Sequence, residues 1–184
     1  MICEDCFHSL KPKFINFQIN SINALAIYNY DDVIKKLIYT YKGCYDYELK
    51  DVFLTRFLTY LRLVYKGYVV VCAPSSQIDD EKRGFNHVKE IFKSLNLPIL
   101  DVLRKTKREK QSDKSSKDRL KVEKIIEGFD LEKLNNKKVL IVDDIYTTGA
   151  TMFKIIQIVQ SAHPKDIKVL VVAKTIDLDK REEK

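Results

Sequence analysis

The sequence predicts one α/β domain built on a parallel sheet with helices on both faces. Residues 68–73 and 139–142 are continuous apolar runs rich in Val, which is typical of strands covered on both faces. Each run is followed by small or polar residues and then by the spacing of an amphipathic helix. Alternating strands and helices indicate parallel strands joined by crossovers. A chain of 184 residues, 45% apolar and 32% charged, is long enough for one such domain and a small appendage.

The remaining elements follow from the same patterns. Residues 25–30 are predicted as a strand and Asp31 as the N-cap of a helix over 32–41, whose apolar face holds Val33, Leu37, Ile38 and Tyr41. Further elements are predicted as a long helix over 46–65, a helix beginning near Gly84, a strand over 99–103, a linker with a short turn over 129–136, a helix over 152–162 and a strand over 167–173. We divide the chain into an N-terminal segment 1–24, a domain 25–176 and a charged tail 177–184.

The strand at 139–142 leads into the most informative stretch of the chain. Asp143 and Asp144 lie at its predicted carboxyl end, which faces the ligand crevice in open α/β sheets. The Thr-Thr-Gly sequence at 147–149 can turn tightly into the next helix, so that free backbone amides and the helix dipole point at one anion. The pattern predicts a phosphate site beside two carboxylates, which can accept hydrogen bonds from hydroxyls or hold a hydrated Mg²⁺.

Other interpretations of an Asp-Asp pair at a strand end must be weighed. A magnesium-dependent phospho-acceptor site and the acidic partner of a phosphate-binding P-loop both use such a pair. The five glycines form no Gly-x-x-x-x-Gly-Lys pattern and no Gly-x-Gly-x-x-Gly pattern, so the P-loop and dinucleotide-binding classes lose their main support. The phospho-acceptor site stays open, and an ordinary strand, turn and helix without a ligand is a further alternative. The order of strand, acids, Thr-Thr-Gly and helix argues against it.

A second candidate ligand loop follows the strand at 68–73. Ser75 and Ser76 stand at its predicted carboxyl end, where small residues leave backbone amides open to an anion. Arg83 follows in a charged loop, so the pattern predicts a second anion site at the same edge of the sheet. His87 lies just beyond this loop, and its simplest interpretation is a helical side chain that faces solvent.

The N-terminus carries Cys3-x-x-Cys6, which is half of a structural zinc site. A complete site needs four ligands, but His8 follows too closely for the usual second pair, and Cys44 and Cys72 are isolated. Two interpretations stay open: zinc held by the pair together with ligands from elsewhere, or a metal-free pair. No signal-peptide pattern and no uncharged apolar run of about 18 residues occur, so we expect a cytoplasmic protein with reduced cysteines and no membrane span.

The net charge of +7 is concentrated in one segment. Residues 104–124 hold ten Lys or Arg against four Asp or Glu, with very few apolar side chains. Such a segment cannot bury itself, so we expect it to be mobile when no ligand is bound. One interpretation is a solvated loop without further function. The other is a surface for a local anion such as pyrophosphate or nucleic acid.

Three motifs carry a resemblance to a known family. Residues 138–151 closely resemble the phosphoribosyl pyrophosphate (PRPP) signature of type I phosphoribosyltransferases. The Arg-Gly-Phe-Asn sequence at 83–86, after a Pro-x-Ser segment, resembles the pyrophosphate loop of the competence-associated ComF family. Lys110-Gln111 and Arg119 resemble its Lys-Gln…Arg-x-x-Asn pattern, although Val122 replaces the Asn. The resemblance implies the Rossmann-like type I phosphoribosyltransferase fold, with a small N-terminal hood.

The resemblance also implies roles for individual residues. Asp143 and Asp144 would bind the ribose hydroxyls of PRPP, and the rest of the PRPP-binding set would be Ile145, Tyr146, Thr147, Thr148, Gly149, Ala150 and Thr151, with the threonines and the glycine at the 5-phosphate. Pyrophosphate would be bound by Ser75, Ser76 and Arg83. Mg²⁺ would bridge the ribose hydroxyls and the pyrophosphate oxygens. The catalytic set would be Asp143, Asp144, Lys110 and Arg119, the last two on a loop that closes over the pyrophosphate. A Tyr-Lys-Gly segment at 41–43 also resembles the start of ComF domains, without an assigned role.

The implied function is PRPP binding in DNA uptake during natural transformation. In this interpretation the basic segment 104–124 contacts single-stranded DNA, and proteins of the DNA-uptake machinery are further partners. The alternative is an active phosphoribosyltransferase that transfers ribose 5-phosphate from PRPP to a nucleobase or an amine. Nothing in residues 1–30 identifies an acceptor site, so the sequence leaves the question of catalysis open.

Overall fold

The computed structural model describes residues 9–108 and 123–175 of the chain. In chain order, the strands and α-helices are β1 (Ile15–Ile19), β2 (Ile22–Asn29), α1 (Asp32–Gly43), α2 (Leu58–Val64), β3 (Tyr68–Cys72), α3 (Gln77–Arg83), α4 (His87–Lys93), β4 (Leu103–Arg108), β5 (Glu123–Gly128), β6 (Lys138–Tyr146), α5 (Ala150–Gln160) and β7 (Asp166–Lys174). Three 3₁₀-helices lie at Tyr47–Val52, Thr55–Phe57 and Leu131–Leu134.

The main sheet has five strands in the order β1-β2-β7-β6-β3. Strands β2, β7, β6 and β3 are parallel, and β1 is antiparallel to β2. This arrangement confirms the predicted parallel α/β sheet. The pairing of β6 with β3 ends at Val142↔Cys72, whereas its pairing with β7 continues to Tyr146↔Lys174. The last residues of β6 therefore extend beyond the end of β3, at the edge of the sheet where the two carboxylates were predicted.

The two faces of the sheet are covered by separate apolar clusters. In β6, Leu140 and Val142 pack with residues from α1, α2 and α4, while Val139 and Ile141 pack with residues from α5. The continuous apolar run of this strand thus serves both faces, because successive side chains point to opposite sides of a sheet. Ile155 on α5 is fully buried, and burying one such side chain stabilises the fold by about 1.5–3 kcal/mol.

The helix α1 agrees with prediction at its start but not in its buried face. The carboxylate of Asp31 accepts a hydrogen bond from the Ile34 backbone N–H at 3.0 Å and confirms the predicted N-cap. Ile34 is buried, whereas Val33 is 44% exposed, so the predicted face was wrong at that position. Ile34, Ile38 and Tyr41 follow the spacing of four and three residues that places side chains on one stripe.

The long helix predicted over 46–65 is absent. The segment forms two 3₁₀-helices and the short helix α2. Val52, Phe53 and Leu54 are buried in succession. One stripe of an α-helix cannot bury three consecutive side chains, and Phe53 and Leu54 lie in the turn between the two 3₁₀-helices. The apolar spacing alone did not distinguish these two arrangements.

Two strand predictions also need correction. Residues 15–19 form β1, which the sequence did not predict, and Asn20 and Ser21 both have positive φ in the two-residue turn that joins it to β2. Within the predicted strand 99–103, Ile99 makes a single bridge to Val70, and Leu103 begins β4, which pairs with β5 in a separate antiparallel sheet. The range 1–24 thus includes an edge strand of the main sheet.

The loop after β3 also differs from the predicted helix beginning near Gly84. Gly84 has φ 80° and ends α3, and α4 begins after Asn86, whose side chain accepts a hydrogen bond from the Lys89 N–H at 2.9 Å. The short turn predicted within 129–136 is confirmed by the 3₁₀-helix at Leu131–Leu134. None of the helices in the described ranges is long and apolar enough to cross a membrane.

Candidate functional site

A cavity of about 430 Å³ lies between the loops that follow β3 and β6. It is lined by Lys42, Ala73, Pro74, Ser75, Ser76, Asp79, Arg83, His87, Val88, Lys105, Asp143, Asp144 and Thr151. The structure therefore brings residues from both predicted ligand loops to one cavity. The two loops meet because β3 and β6 are neighbours: the Ala73 N–H donates to the Val142 carbonyl at 2.8 Å, so the next residues of both strands start side by side.

The turn after β6 has the conformation expected for an anion site. Gly149 has φ 78° and is the N-cap of α5. A side chain there would be strained by the backbone, and a Cβ would lie 2.3 Å from the Tyr146 hydroxyl oxygen. Thr147, Thr148 and Thr151 are exposed around this turn. The first amides of α5 have no partner within the helix and lie at the positive end of its dipole.

The two carboxylates differ strongly in their surroundings. Asp143 is half-buried and its Oδ1 accepts a hydrogen bond from the Asp144 N–H at 2.8 Å. Burial, together with the charge of Asp144, raises the pKa of Asp143 well above its usual range. Asp144 is 7% exposed, and its Oδ2 lies 2.6 Å from the Lys42 Nζ and 3.4 Å from the His87 Nε2. Burial alone would raise the pKa of Asp144, but His87 and Lys42 outweigh it and hold this pKa below its usual range.

This difference between the two aspartates changes the role expected for each. The sequence analysis assigned both to the ribose hydroxyls as equivalent ligands. Asp144 instead forms an ion pair with Lys42 and accepts a hydrogen bond from the Ile145 N–H at 2.8 Å. Asp143 lines the cavity without an ion pair among the contacts of the described residues. Asp143 is therefore the carboxyl group best placed to contact a ligand hydroxyl, with Asp144 as the fixed negative charge behind it.

Lys42 is a site residue that the sequence analysis did not assign. It lies in the last turn of α1, and 102 positions separate it from Asp144 in the chain. The only signal was the Tyr-Lys-Gly segment at 41–43, to which no role was given. Lys105 on β4 is a second unassigned cation, because it also lines the cavity.

The loop after β3 is stabilised by its own polar side chains. The Asn86 amide Nδ2 donates to the Ser75 Oγ and to the Asp80 Oδ2, each at 2.9 Å, and the Ser75 hydroxyl donates to the same Asp80 oxygen. Arg83 donates from Nη1 to the Asp80 Oδ1 at 2.9 Å and from Nε to the Lys42 carbonyl oxygen at 3.1 Å. Its side chain is only 8% exposed, so the guanidinium is part of the cavity wall and is not freely accessible to solvent.

The sequence predicted that His87 faces solvent, and this prediction was wrong because the residue is buried. It is 9% exposed and lines the cavity with its ring between Arg83 and Asp144. The physical reason is its helical position: Ile91 lies four residues later on the buried stripe of α4, so residue 87 points to the same side. This spacing was available in the sequence.

A larger cavity of about 720 Å³ lies between α3 and β4. It shares Pro74, Ser75 and Lys105 with the first cavity, so the two are neighbours at the loop after β3. Of the basic segment 104–124, the structure describes only the ends that lie in β4 and β5. The predicted loop residues Lys110 and Arg119 lie outside the described residues.

The donor atoms in the first cavity are compatible with magnesium but do not form a complete metal site. Among residues 9–108 and 123–175, no group of three or more His, Cys, Asp or Glu could hold a metal ion. A hydrated Mg²⁺ needs only one or two protein carboxylates together with ligand oxygens and water, and Asp143 at the wall of the cavity offers such oxygens. The predicted zinc ligands Cys3 and Cys6 lie outside the described part of the chain.

Comparisons with known proteins identify the family of this chain. The family described as "Phosphoribosyl transferase domain" matches residues 81–184. The chain is 33% identical over 169 residues to "Competence protein ComFC" of Streptococcus pneumoniae (strain ATCC BAA-255 / R6), which covers 90% of this chain and 72% of that protein. It is 32% identical over 129 residues to "Competence protein ComFC" of Bacillus subtilis (strain 168), which covers 69% of this chain and 53% of that protein.

Among solved structures, a purine phosphoribosyltransferase from Pyrococcus horikoshii Ot3 is 17% identical, with a TM-score of 0.44, and the match covers 69% of this chain and 86% of that one. The family match and the two ComFC relatives confirm the resemblance inferred from the motifs. The chain belongs to the phosphoribosyl transferase domain family and is a ComFC-type member of it.

Proposed function

We propose that this chain binds PRPP together with Mg²⁺ in the 430 Å³ cavity between the loops after β3 and β6. The observation that carries the proposal is the position of Asp143, which lies in one cavity with the loop at Ser75 and Ser76 and with Thr151 at the start of α5. A phosphorylated sugar with a pyrophosphate group needs a hydrogen-bond acceptor for its hydroxyls and two separate anion sites. The cavity offers these three elements at its walls.

The roles follow from the chemistry of each wall. The turn at 147–151 would hold the 5-phosphate through backbone amides and threonine hydroxyls. Asp143 would accept a hydrogen bond from a ribose hydroxyl. The Ser76 hydroxyl and the backbone amides of Ser75 and Ser76 would donate to the pyrophosphate, and Lys105 with Arg83 would provide positive charge beside it. Mg²⁺ would neutralise part of the pyrophosphate charge through ligand oxygens and the carboxylate of Asp143.

Isothermal titration calorimetry with PRPP and Mg²⁺ tests this proposal. We expect saturable binding that Asp143→Asn weakens strongly, since the substitution keeps the size of the side chain and replaces one of the two carboxyl oxygens by an NH₂ group, which cannot accept a hydrogen bond or bind a metal ion. Asp32→Asn on the exposed start of α1 is the matched control and should bind as the unmodified protein does. Absence of PRPP binding, or binding equally weakened by both substitutions, would refute the proposed site.

Catalysis of phosphoribosyl transfer is a second candidate function. The observation that favours it is the unlike surroundings of two adjacent carboxyl groups, since Asp144 is paired with Lys42 and Asp143 lines the cavity, and acid–base chemistry at neutral pH uses pairs whose environments differ in this way. Asp143 could then hold a proton near the reacting ribose while Asp144 stays ionised. Release of pyrophosphate from PRPP in the presence of one of a panel of nucleobases and amines would support this activity. Release that is unchanged in Asp143→Asn would contradict the assignment.

The role in the cell that we infer is in competence, as the names of the ComFC relatives imply for those proteins. The excess of positive charge in residues 104–124 supports contact with single-stranded DNA in the cytoplasm, and we infer proteins of the uptake machinery as further partners from the role in competence alone. Binding to a labelled oligonucleotide should weaken steeply with salt. It should also weaken when the lysines of this segment are changed to glutamine, and affinity that persists unchanged would exclude this surface.

Zinc at Cys3 and Cys6 remains a separate proposal. It rests on the Cys-x-x-Cys spacing. Elemental analysis of protein purified without an affinity tag should find zinc at near-stoichiometric level, and Cys3→Ser should abolish it. Protein that contains no zinc would exclude the metal site.

A further inference from the structure

A buried polar bridge joins the two ligand loops across the cavity. The Arg83 Nη1 lies 3.0 Å from the His87 Nδ1, and the His87 Nε2 lies 3.4 Å from the Asp144 Oδ2. Arg83 ends the helix that follows the loop after β3, and Asp144 belongs to the end of β6. One imidazole ring thus contacts a charged group from each side of the site.

The chemistry of the neighbours determines where the proton of His87 lies. An arginine guanidinium can only donate hydrogen bonds, so the His87 Nδ1 must be the unprotonated acceptor of the Arg83 N–H. In a neutral imidazole the proton is then on Nε2, and it faces the Asp144 carboxylate. The ring is therefore oriented with its acceptor toward the cation and its donor toward the anion.

The residue that carries the ring is also held in place. His87 is 9% exposed, and the Tyr41 hydroxyl donates to its backbone carbonyl oxygen at 2.8 Å. Its two charged neighbours are fixed in turn, since Arg83 contacts Asp80 and the Lys42 carbonyl, and Asp144 is paired with the Lys42 ammonium. Lys42 thus contacts both ends of the bridge, through its carbonyl and its ammonium. These contacts leave the bridge few alternative arrangements.

We propose that His87 is a positioning residue, which holds the loop after β3 at a set distance from the end of β6 for a ligand that spans both. This inference rests on the proposed PRPP site. Ribose 5-phosphate would contact only the β6 side, and pyrophosphate only the β3 side. PRPP would contact both sides at once. Of the three ligands, it is therefore the one whose binding affinity depends most on loops whose spacing is fixed before binding.

The experiment compares three ligands and three variants by calorimetry. His87→Leu removes both hydrogen-bonding atoms of the ring and should raise the Kd for PRPP with Mg²⁺ by about tenfold, the effect of losing roughly one buried charge-assisted hydrogen bond. The Kd values for ribose 5-phosphate alone and for pyrophosphate alone should change by less than about threefold. His87→Gln keeps one acceptor and one donor and should restore most of the PRPP affinity. His163→Asn is the matched control. His163 is exposed shortly before the start of β7, at the end of the strands away from the cavity, and its φ of 51° suits asparagine.

A merely structural role for His87 would weaken all three ligands together, and His87→Gln would then be as weak as His87→Leu; either result overturns the proposal. PRPP affinity that is unchanged in His87→Leu overturns it as well. The ¹⁵N shifts of the ring in the unmodified protein give a second readout that needs no ligand and no variant. They should report a protonated Nε2 and an unprotonated Nδ1, and the opposite tautomer refutes the bridge even when His87→Leu fails to fold. If the unmodified protein does not bind PRPP at all, the proposed function fails, while the ring shifts still decide the bridge.

Discussion

Replacing Lys42 by methionine tests the electrostatic design of the site most directly. The Lys42 Nζ lies 2.6 Å from the Asp144 Oδ2, and the two side chains are 36% and 10% exposed. Removing one partner of a buried ion pair costs about 3–5 kcal/mol, whereas an exposed pair contributes about 0–1 kcal/mol, so a half-exposed lysine on a buried carboxylate should contribute about 2 kcal/mol. For a chain of this size that loss lowers the melting temperature by about 4–8 °C.

The assay is urea unfolding at several pH values, with Lys36→Met as the control because Lys36 is an exposed lysine of the same helix. The pKa of folded Asp144 lies below its ordinary value, so its ionisation contributes stability above the unfolded pKa of about 3.9 that is lost as pH falls through the folded value. The stability difference between the unmodified protein and Lys42→Met should therefore be complete near pH 7 and shrink in strong acid. Asp144→Asn should remove most of the effect of Lys42→Met. A Lys42→Met protein as stable as Lys36→Met, or a difference that does not change down to the acid limit, would refute this account.

Three further predictions concern the turn, the cysteines and the helix cap. Gly149→Ala should destabilise the protein by about 1–3 kcal/mol more than Gly67→Ala, because both have positive φ but only at Gly149 would a Cβ collide with Tyr146; equal melting temperatures for the two variants would contradict this reasoning. Burial raises the pKa of the Cys72 thiol to about 12, so iodoacetamide at pH 8 should modify the exposed Cys44 much faster than Cys72, which peptide mass spectrometry can measure; equal rates would show that Cys72 is accessible. Asp31→Ala should cost about 1 kcal/mol in urea unfolding through loss of the N-cap bond to Ile34, and Asp32→Ala, which removes a neighbouring exposed carboxylate, should cost clearly less.

The fold could be predicted where the pattern of apolar residues within one short segment decides which side chains are buried. The strands β3, β6 and β7 are apolar runs flanked by polar residues, and this pattern does not depend on distant contacts. The segment 46–65 was predicted wrongly because its spacing of apolar residues also suits two short 3₁₀-helices joined by a turn, where Phe53 and Leu54 are buried. Local periodicity does not decide between these two arrangements when the packing partners are unknown.

The site could be predicted where its residues are contiguous. Asp143 and the turn at 147–151 lie in one stretch, so one motif identified both. Lys42 and His87 were missed as site residues because their role arises only when α1 and α4 pack beside the end of β6. The burial of His87 could have been predicted from the sequence, since the residue lies on the same helical stripe as Ile91.

The position of β6 inside the sheet has a consequence for how this site can adapt. Its backbone is hydrogen-bonded to β3 on one side as far as Val142 and to β7 on the other as far as Tyr146. Deuterium exchange at these central amides should require opening of the whole sheet, whereas the short 3₁₀-helices at Tyr47–Val52 and Thr55–Phe57 can exchange through local openings. Changes in the shape of the candidate site should therefore come from side chains and loops above β6, because a shift of the strand beneath them would break its hydrogen bonds to β3 and β7.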